Sequence, residues 1–226
     1  RKPAHLYPQE TSKKSFKESW NNFMDGNFAK RRLFAIGIGT MAFSMEDVLL
    51  EPYGGEILHL AVSQTTTLTA TLAGGGLLGF AWASHVLSKG ADPFKMASMG
   101  SLFGIPAFIA VIISGLIQEP ILFALGTLSI GFGAGLFGHG TLTATMNLAP
   151  NGQSGLALGA WGAVQASAAG LAITLGGVIR DLVAAQGNSY IGYCSVYGLE
   201  VVLLIVTIWA MLPLIKSRPK HQVSLI

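Results

Sequence analysis

The feature that most constrains this chain is a stretch of membrane-spanning length that carries acidic residues. Residues 33–51 read LFAIGIGTMAFSMEDVLLE, which is about as long as a helix that crosses a bilayer. Glu46, Asp47 and Glu51 lie in this stretch without any cation. Since a carboxylate near mid-bilayer costs at least ~2.5 kcal/mol, acids there normally face a bundle interior or a cavity. The fold therefore has to give these acids a polar or protein-lined environment.

Helical spacing indicates which face of this stretch is polar. On a continuous helix, five small or polar residues would lie on one face as a stripe, and Glu46 would lie about 100° to one side of them. The members of the stripe are Gly37, Thr40, Ser44, Asp47 and Glu51. We expect Asp47 and Glu51 to face the bundle interior. The alternative is that all three acids lie at the outer end of the helix, where water or a partner helix satisfies them.

Composition and hydropathy predict an all-α membrane protein. Only 11% of the residues are charged, and the mean hydropathy is +0.54. Each of six apolar segments is long enough to span the hydrocarbon core. They are 33–51, 61–83, 96–117, 121–146, 155–179 and 191–215. The predicted organisation is thus a basic segment 1–32, a transmembrane domain 33–215 with six helices, and a tail 216–226.

The distribution of basic residues predicts the orientation. Thirteen of the fourteen Lys and Arg fall in 1–32, in the turn 84–95 or after residue 215, and the remaining one is Arg180. The positive-inside rule then places both termini in the cytoplasm and the linkers 52–60, 118–120 and 180–190 on the opposite side. In 1–32, Phe16, Trp20 and Phe23 have helical spacing, typical of an amphipathic helix on the membrane surface. A flexible linker with scattered aromatics is the alternative.

Three stretches resemble the PucC family of bacteriochlorophyll-related membrane proteins, a branch similar to the major facilitator superfamily. They are GIGTMAFSMEDVLLEPYGGEIL from residue 37, FGAGLFGHGTLTATMNLAP and GLALGAWGAVQASAAGLA. The resemblance implies a six-helix half of a facilitator-type fold, the C-terminal half, whose N-terminal half would be a partner. It also implies assembly of light-harvesting complexes in the inner membrane of a photosynthetic bacterium. Contacts with antenna and reaction-centre subunits and handling of bacteriochlorophyll would follow, while carotenoid binding stays open.

Glycines at four-residue spacing suggest where a pigment could lie. Gly131 and Gly135 precede His139 on one helical line, and Trp161 and Gln165 lie one turn apart on the next apolar segment. A neutral imidazole can ligate the magnesium of a chlorin, and glycines leave room for a flat ring. We predict these five residues as candidate pigment contacts. Close packing of helices on the glycines, with His139 hydrogen-bonded to a neighbouring helix, is the alternative.

Other polar positions leave the function open. Gln64, Thr67 and Thr71 share a face and either line a cavity or hydrogen-bond neighbouring helices. Glu200 interrupts the last apolar segment without an assigned role. The sequence has no phosphate-binding loop, metal-ligand cysteine cluster or nucleophile elbow, so we expect neither an enzyme nor nucleic-acid binding. Two alternatives stay open: a proton-coupled solute transporter that uses the three acids, and a pigment-free structural assembly partner.

Overall fold

The computed structural model describes residues 20–21, 24–25, 28–149 and 154–216, and all regular structure in them is helical. The longer helices provide six spans that are apolar and long enough to cross a membrane, which confirms the predicted fold class. The first span contains α1 and α2 in succession. In chain order the helices are α1 Ala29–Ala42, α2 Leu50–Glu56, α3 Val62–Ser88, α4 Pro93–Ile117, α5 Pro120–Asn147, α6 Ser154–Ala184 and α7 Ser189–Lys216.

Acid–proline pairs begin two of the helices. The Asp92 carboxylate accepts hydrogen bonds from the backbone N–H groups of Phe94 and Lys95, with Pro93 as the first residue of α4. Glu119 caps α5 in the same manner ahead of Pro120. Proline suits the first turn because its missing N–H would have no partner there. The turns before α4 and α5 span only a few residues, and α5 packs against both α3 and α4.

The first span is broken, which the sequence interpretation did not predict. α1 ends at Ala42, a 3-10 turn covers Glu46–Val48, and α2 follows. Pro52 accounts for the interruption just before α2, because in a continuous helix its ring would clash with the carbonyl of Val48. The prediction of one helix over 33–51 is therefore wrong, as is a linker from residue 52, since α2 continues to Glu56.

The core lies where α2, α4, α5 and α7 meet. Tyr53 of α2 is fully buried, and its ring lies 5.2–5.4 Å from the rings of Phe123, Tyr193 and Tyr197. The two tyrosine pairs are edge-to-face, an arrangement that adds about 0.5–1.5 kcal/mol per pair beyond burial. The Tyr53 hydroxyl donates to the Val111 carbonyl at 2.9 Å, so its polar end is also satisfied. α2 is thereby fixed to α4 and α7 despite its short length.

Two arginine clusters join helices at opposite ends of the bundle. At the end that carries Lys89 and Lys95, the Arg31 side chain donates to the Ala210 carbonyl at 2.8 Å and lies over the Trp209 ring. We call this the basic end. At the far end, Arg180 of α6 pairs with Glu56 of α2, and both hydrogen-bond to the Tyr193 hydroxyl of α7. The first span is thus held to α7 at both of its ends.

Candidate functional site

The glycine line of α5 is covered by a neighbouring helix. A Cβ at Gly131 or Gly135 would collide with the backbone carbonyls of Leu72 and Gly76 in α3. In return, Gly75 and Gly79 of α3 lie against the α5 backbone at Leu128 and Phe132. The prediction that Gly131 and Gly135 leave an open surface for pigment is therefore wrong. They allow close approach of two helices, the alternative reading of the pattern.

His139 and Trp161 lie on different seams of the bundle. The His139 ring packs against Phe80 of α3 with its centroid 4.1 Å away, and its Nδ1 is buried without a hydrogen-bond partner. Trp161 of α6 donates its indole N–H to the Thr141 hydroxyl at 3.3 Å. Residues 139 and 141 point about 160° apart on a helix. The structure thus does not bring His139 and Trp161 together, and axial ligation by His139 stays a prediction.

A third glycine line is open. A Cβ at Gly155 or at Gly159 of α6 would meet no atom within 4 Å. Both line a groove of about 910 Å³ between α6 and α1, which we call the first groove. Its walls are almost entirely apolar, and they are formed by Trp20, Phe34, Gly37, Ile38, Met41, Gly155, Leu156, Gly159, Ala160, Ala163, Val164, Ser167, Ala168 and Leu171.

A second groove, of about 520 Å³, lies on the other side of α1 and α6, against α5. Three polar side chains converge on it: Thr40 and Ser44 of the predicted stripe and Gln165. The Thr40 hydroxyl oxygen is buried without a partner. The remaining walls are apolar or glycine, with Phe43, Ala134, Phe137, Gly138, Gly162, Ala166 and Ala169. Polar groups in a mostly apolar groove are the usual means of orienting a ligand.

The acids occupy positions opposite to those predicted. Glu46 is only 1% exposed, whereas Asp47 and Glu51 are exposed on the described surface. The break after Ala42 ends the helical register, so counting 100° per residue across it gives the wrong face. The Glu51 carboxylate accepts a hydrogen bond from the Thr69 hydroxyl of α3 at 2.5 Å. The expectation that Asp47 and Glu51 face the interior of this bundle is therefore wrong, and Glu46 is the interior acid.

The three predicted polar side chains of α3 hydrogen-bond to the backbone of their own helix or of the residue just before it. Gln64 caps the helix by accepting from the Ala61 N–H at 2.9 Å. The Thr67 and Thr71 hydroxyls donate to carbonyls one turn earlier, those of Ser63 and Thr67. Neither groove described above contains these side chains in its walls.

The structure describes only one of the three aromatic residues of the predicted surface helix. Trp20 borders the first groove, and Phe16 and Phe23 lie outside the described residues.

Sequence reasoning missed a buried polar cluster on α7. Glu200 and Tyr197 are fully buried, and neither Glu200 oxygen nor the Tyr197 hydroxyl has a hydrogen-bond partner. Both side chains interact electrostatically with Glu46. The only indication of this cluster in the sequence was Glu200, an acid inside an apolar segment. Its partner could not be identified without the break in the first span.

These features define a polytopic α-helical membrane protein with two grooves beside a broken first span. The family model described as PUCC protein matches residues 1–219. Protein PucC of Rhodovulum sulfidophilum is 57% identical over 169 residues, which are 75% of this chain and 37% of that protein. Protein PucC of Cereibacter sphaeroides is 51% identical over 89% of this chain and 45% of that protein. This chain therefore belongs to the PucC family.

A more distant relative is named for pigment synthesis. The bacteriochlorophyll synthase 44.5 kDa chain of Rhodobacter capsulatus is 26% identical over 86% of this chain and 46% of that protein. The chain spans less than half the length of each of these relatives. The described bundle thus corresponds to part of the longer proteins that it resembles.

Proposed function

We propose that this chain takes part in assembling light-harvesting complexes by handling bacteriochlorophyll within the membrane. The observation that carries the proposal is the first groove, which is open, almost wholly apolar and bounded by glycines. Its volume lies in the range of about 300–1,000 Å³ that is typical of ligand pockets. Membership of the PucC family and the name of the more distant relative support a bacteriochlorophyll as the occupant.

The residues of the two grooves fit such a pigment. Phe34 and Met41 offer apolar surface, while Gly155 and Gly159 leave space for a flat ring or an alkyl tail. In the second groove, the Thr40 and Ser44 hydroxyls and the Gln165 amide can hydrogen-bond to carbonyl substituents. A bound chlorin would supply light absorption. The protein residues hold the pigment, orient it and exclude water.

Filling each groove separately tests the proposal. The protein is purified in mild detergent from a host that makes bacteriochlorophyll, and pigment per protein is measured by absorption. Gly159→Leu fills the first groove and should lower the ratio several-fold, and Gly162→Leu does the same for the second. The matched control is Gly170→Leu, because Gly170 is exposed on α6, outside both grooves, with no atom within 4 Å of a Cβ.

The outcomes separate this function from its rivals. A normal pigment ratio in both groove variants would contradict the assignment to the grooves. A wild-type protein that carries no pigment yet still supports antenna assembly would favour a structural partner. Proton-coupled uptake of a solute into vesicles would favour a transporter, for which the polar side chains of the second groove and the buried Glu46 are the supporting observations.

Location and partners are part of the same proposal. We place the protein in the inner membrane of a photosynthetic bacterium, in contact with lipid and with antenna and reaction-centre subunits. α3 and α6 are the least buried of the six spans. Since the relatives are about twice as long, a further half of the protein has the length to cover the exposed faces of these helices.

A further inference from the structure

The buried polar cluster around Glu200 is used neither by the grooves nor by the proposed pigment contacts. Its three members are Glu46 in the 3-10 turn and Tyr197 and Glu200 on α7. All three are at most 1% exposed. One Glu46 oxygen, both Glu200 oxygens and the Tyr197 hydroxyl lack a hydrogen-bond partner. Buried polar atoms are nearly always paired, so these unpartnered atoms require either one another, through a shared proton, or a bound ligand.

Helix geometry places two of the members together, since Tyr197 and Glu200 are three residues apart and share one face of α7. Glu200 interacts electrostatically with Glu46, and Tyr197 interacts with both glutamates. The backbone amide of Glu46 also approaches the Glu200 carboxyl group, although the geometry falls short of a hydrogen bond. The unpartnered Tyr197 hydroxyl is fully buried beside the two acids. It can donate to one carboxyl oxygen and accept from a protonated one.

The surroundings contain anionic and neutral groups. The other titratable groups that interact with the cluster are Asp47, on the same turn, and the phenols Tyr53 and Tyr193. No Lys, Arg or His of the described residues contributes a charge to either glutamate. Arg180, the cation on α6, is held by Glu56 and Asp181. Two carboxylates cannot both stay ionised in such an interior without a compensating positive charge.

We propose that Glu46, Glu200 and the Tyr197 hydroxyl form an intramembrane proton-binding site in which the two carboxyl groups share a proton. The described residues contain no group of three or more His, Cys, Asp or Glu side chains arranged to hold a metal ion, so a proton fits better than a metal cation. The proton bridges two segments, the turn at the break of the first span and α7. Its loss would leave two facing anions and push these segments apart.

The site lies next to the second groove in sequence. Ser44, which lines that groove, precedes Glu46 by two residues, and Phe43 lines it as well. Movement of the turn would therefore reshape a wall of the second groove. The inference goes beyond the proposed function, because it holds whether the groove receives a pigment, another ligand or none.

Infrared difference spectroscopy of the protein in nanodiscs tests the site without any pigment. The carboxylic-acid stretching band is followed against pH, in water and in deuterium oxide. We expect a protonated-carboxyl band that disappears at high pH and that loses intensity in Glu46→Gln and in Glu200→Gln. Asp47→Asn is the matched control: it removes the adjacent but exposed acid, so the band should persist at low pH, and only the pH at which it disappears should shift because a nearby negative charge is lost.

Further measurements keep the test decisive. Tyr197→Phe removes only a hydroxyl, so it should shift the frequency of the same band even where a glutamine variant does not accumulate. A band that is absent at every pH, or that is unaffected by Glu46→Gln, Glu200→Gln and Tyr197→Phe, would overturn the proposal. A different result would also overturn the proposal: a band that does not change with pH, is removed by sodium chloride and is not removed by N-methylglucamine chloride. The ligand would then be a metal cation.

Discussion

At the residue scale, neighbouring acids of one type occupy contrasting environments. Glu46 is buried, Asp47 beside it is exposed, and Glu51 receives a hydrogen bond from α3. Glu56, one further turn along, pairs with Arg180 at the far end of the bundle. The direction of the backbone at the break decides these differences. Residue type alone would give all four acids the same preference.

The Arg180 cluster leads to a prediction on stability. Arg180→Gln removes the ion pair with Glu56 and the contact of the guanidinium with the Tyr193 ring. Because the Glu56 and Arg180 side chains are 42% and 23% exposed, water screens much of the attraction. We expect a loss of about 1 kcal/mol in the free energy of unfolding. Thermal unfolding in detergent measures it, with Lys95→Gln as an exposed cationic control. Equal melting temperatures for the two variants would contradict the prediction.

At the element scale, identical glycine spacing serves two purposes. The lines on α3 and α5 interlock through backbone contacts, whereas Gly155 and Gly159 on α6 face an open groove. The sequence pattern is the same in both cases, and only the position of the neighbouring helix distinguishes them. A glycine line therefore predicts a helix surface that another group can approach closely. It does not identify the partner as another helix or as a ligand.

The interlocked seam should be intolerant of a single methyl group. Gly131→Ala places a Cβ against the Leu72 carbonyl, a backbone atom that cannot rotate away. We expect a net loss of about 1–3 kcal/mol, since overpacking outweighs the gain in helix propensity. Gly74→Ala is the control, because it has the same gain in propensity and open space around its Cβ. The free energy of unfolding in mixed micelles compares the two, and a stabilised Gly131→Ala would refute the seam.

At the scale of the whole molecule, hydropathy predicted the six spans because a membrane helix needs about twenty apolar residues whatever it packs against. The break in the first span was not predicted, although Pro52 marks it. A proline at the end of an apolar run predicts the start of a linker, whereas Pro52 lies in the first turn of α2. The end of α1 at Ala42, ahead of both acids, reverses the faces of Glu46 and Asp47. Long-range partners such as Glu200 depend on tertiary packing, which helical spacing does not contain.

Topology gives the last prediction. The turns next to Lys89 and Lys95 lie at the basic end, and Gln186 lies at the far end, in the turn between α6 and α7. The positive-inside rule places the basic end in the cytoplasm. Ser88→Cys and Gln186→Cys, both at exposed positions, are made in a Cys194→Ser background that removes the only native thiol.

A membrane-impermeant maleimide applied to intact spheroplasts should label Gln186→Cys but not Ser88→Cys, while permeabilised membranes should allow both to react. The permeabilised sample is the control for reactivity, since it shows that each thiol is accessible once the reagent reaches its side. Labelling of Ser88→Cys in intact spheroplasts would reverse the orientation. The Arg180 cluster would then lie on the cytoplasmic side, and the distribution of charged residues would have failed to orient the bundle.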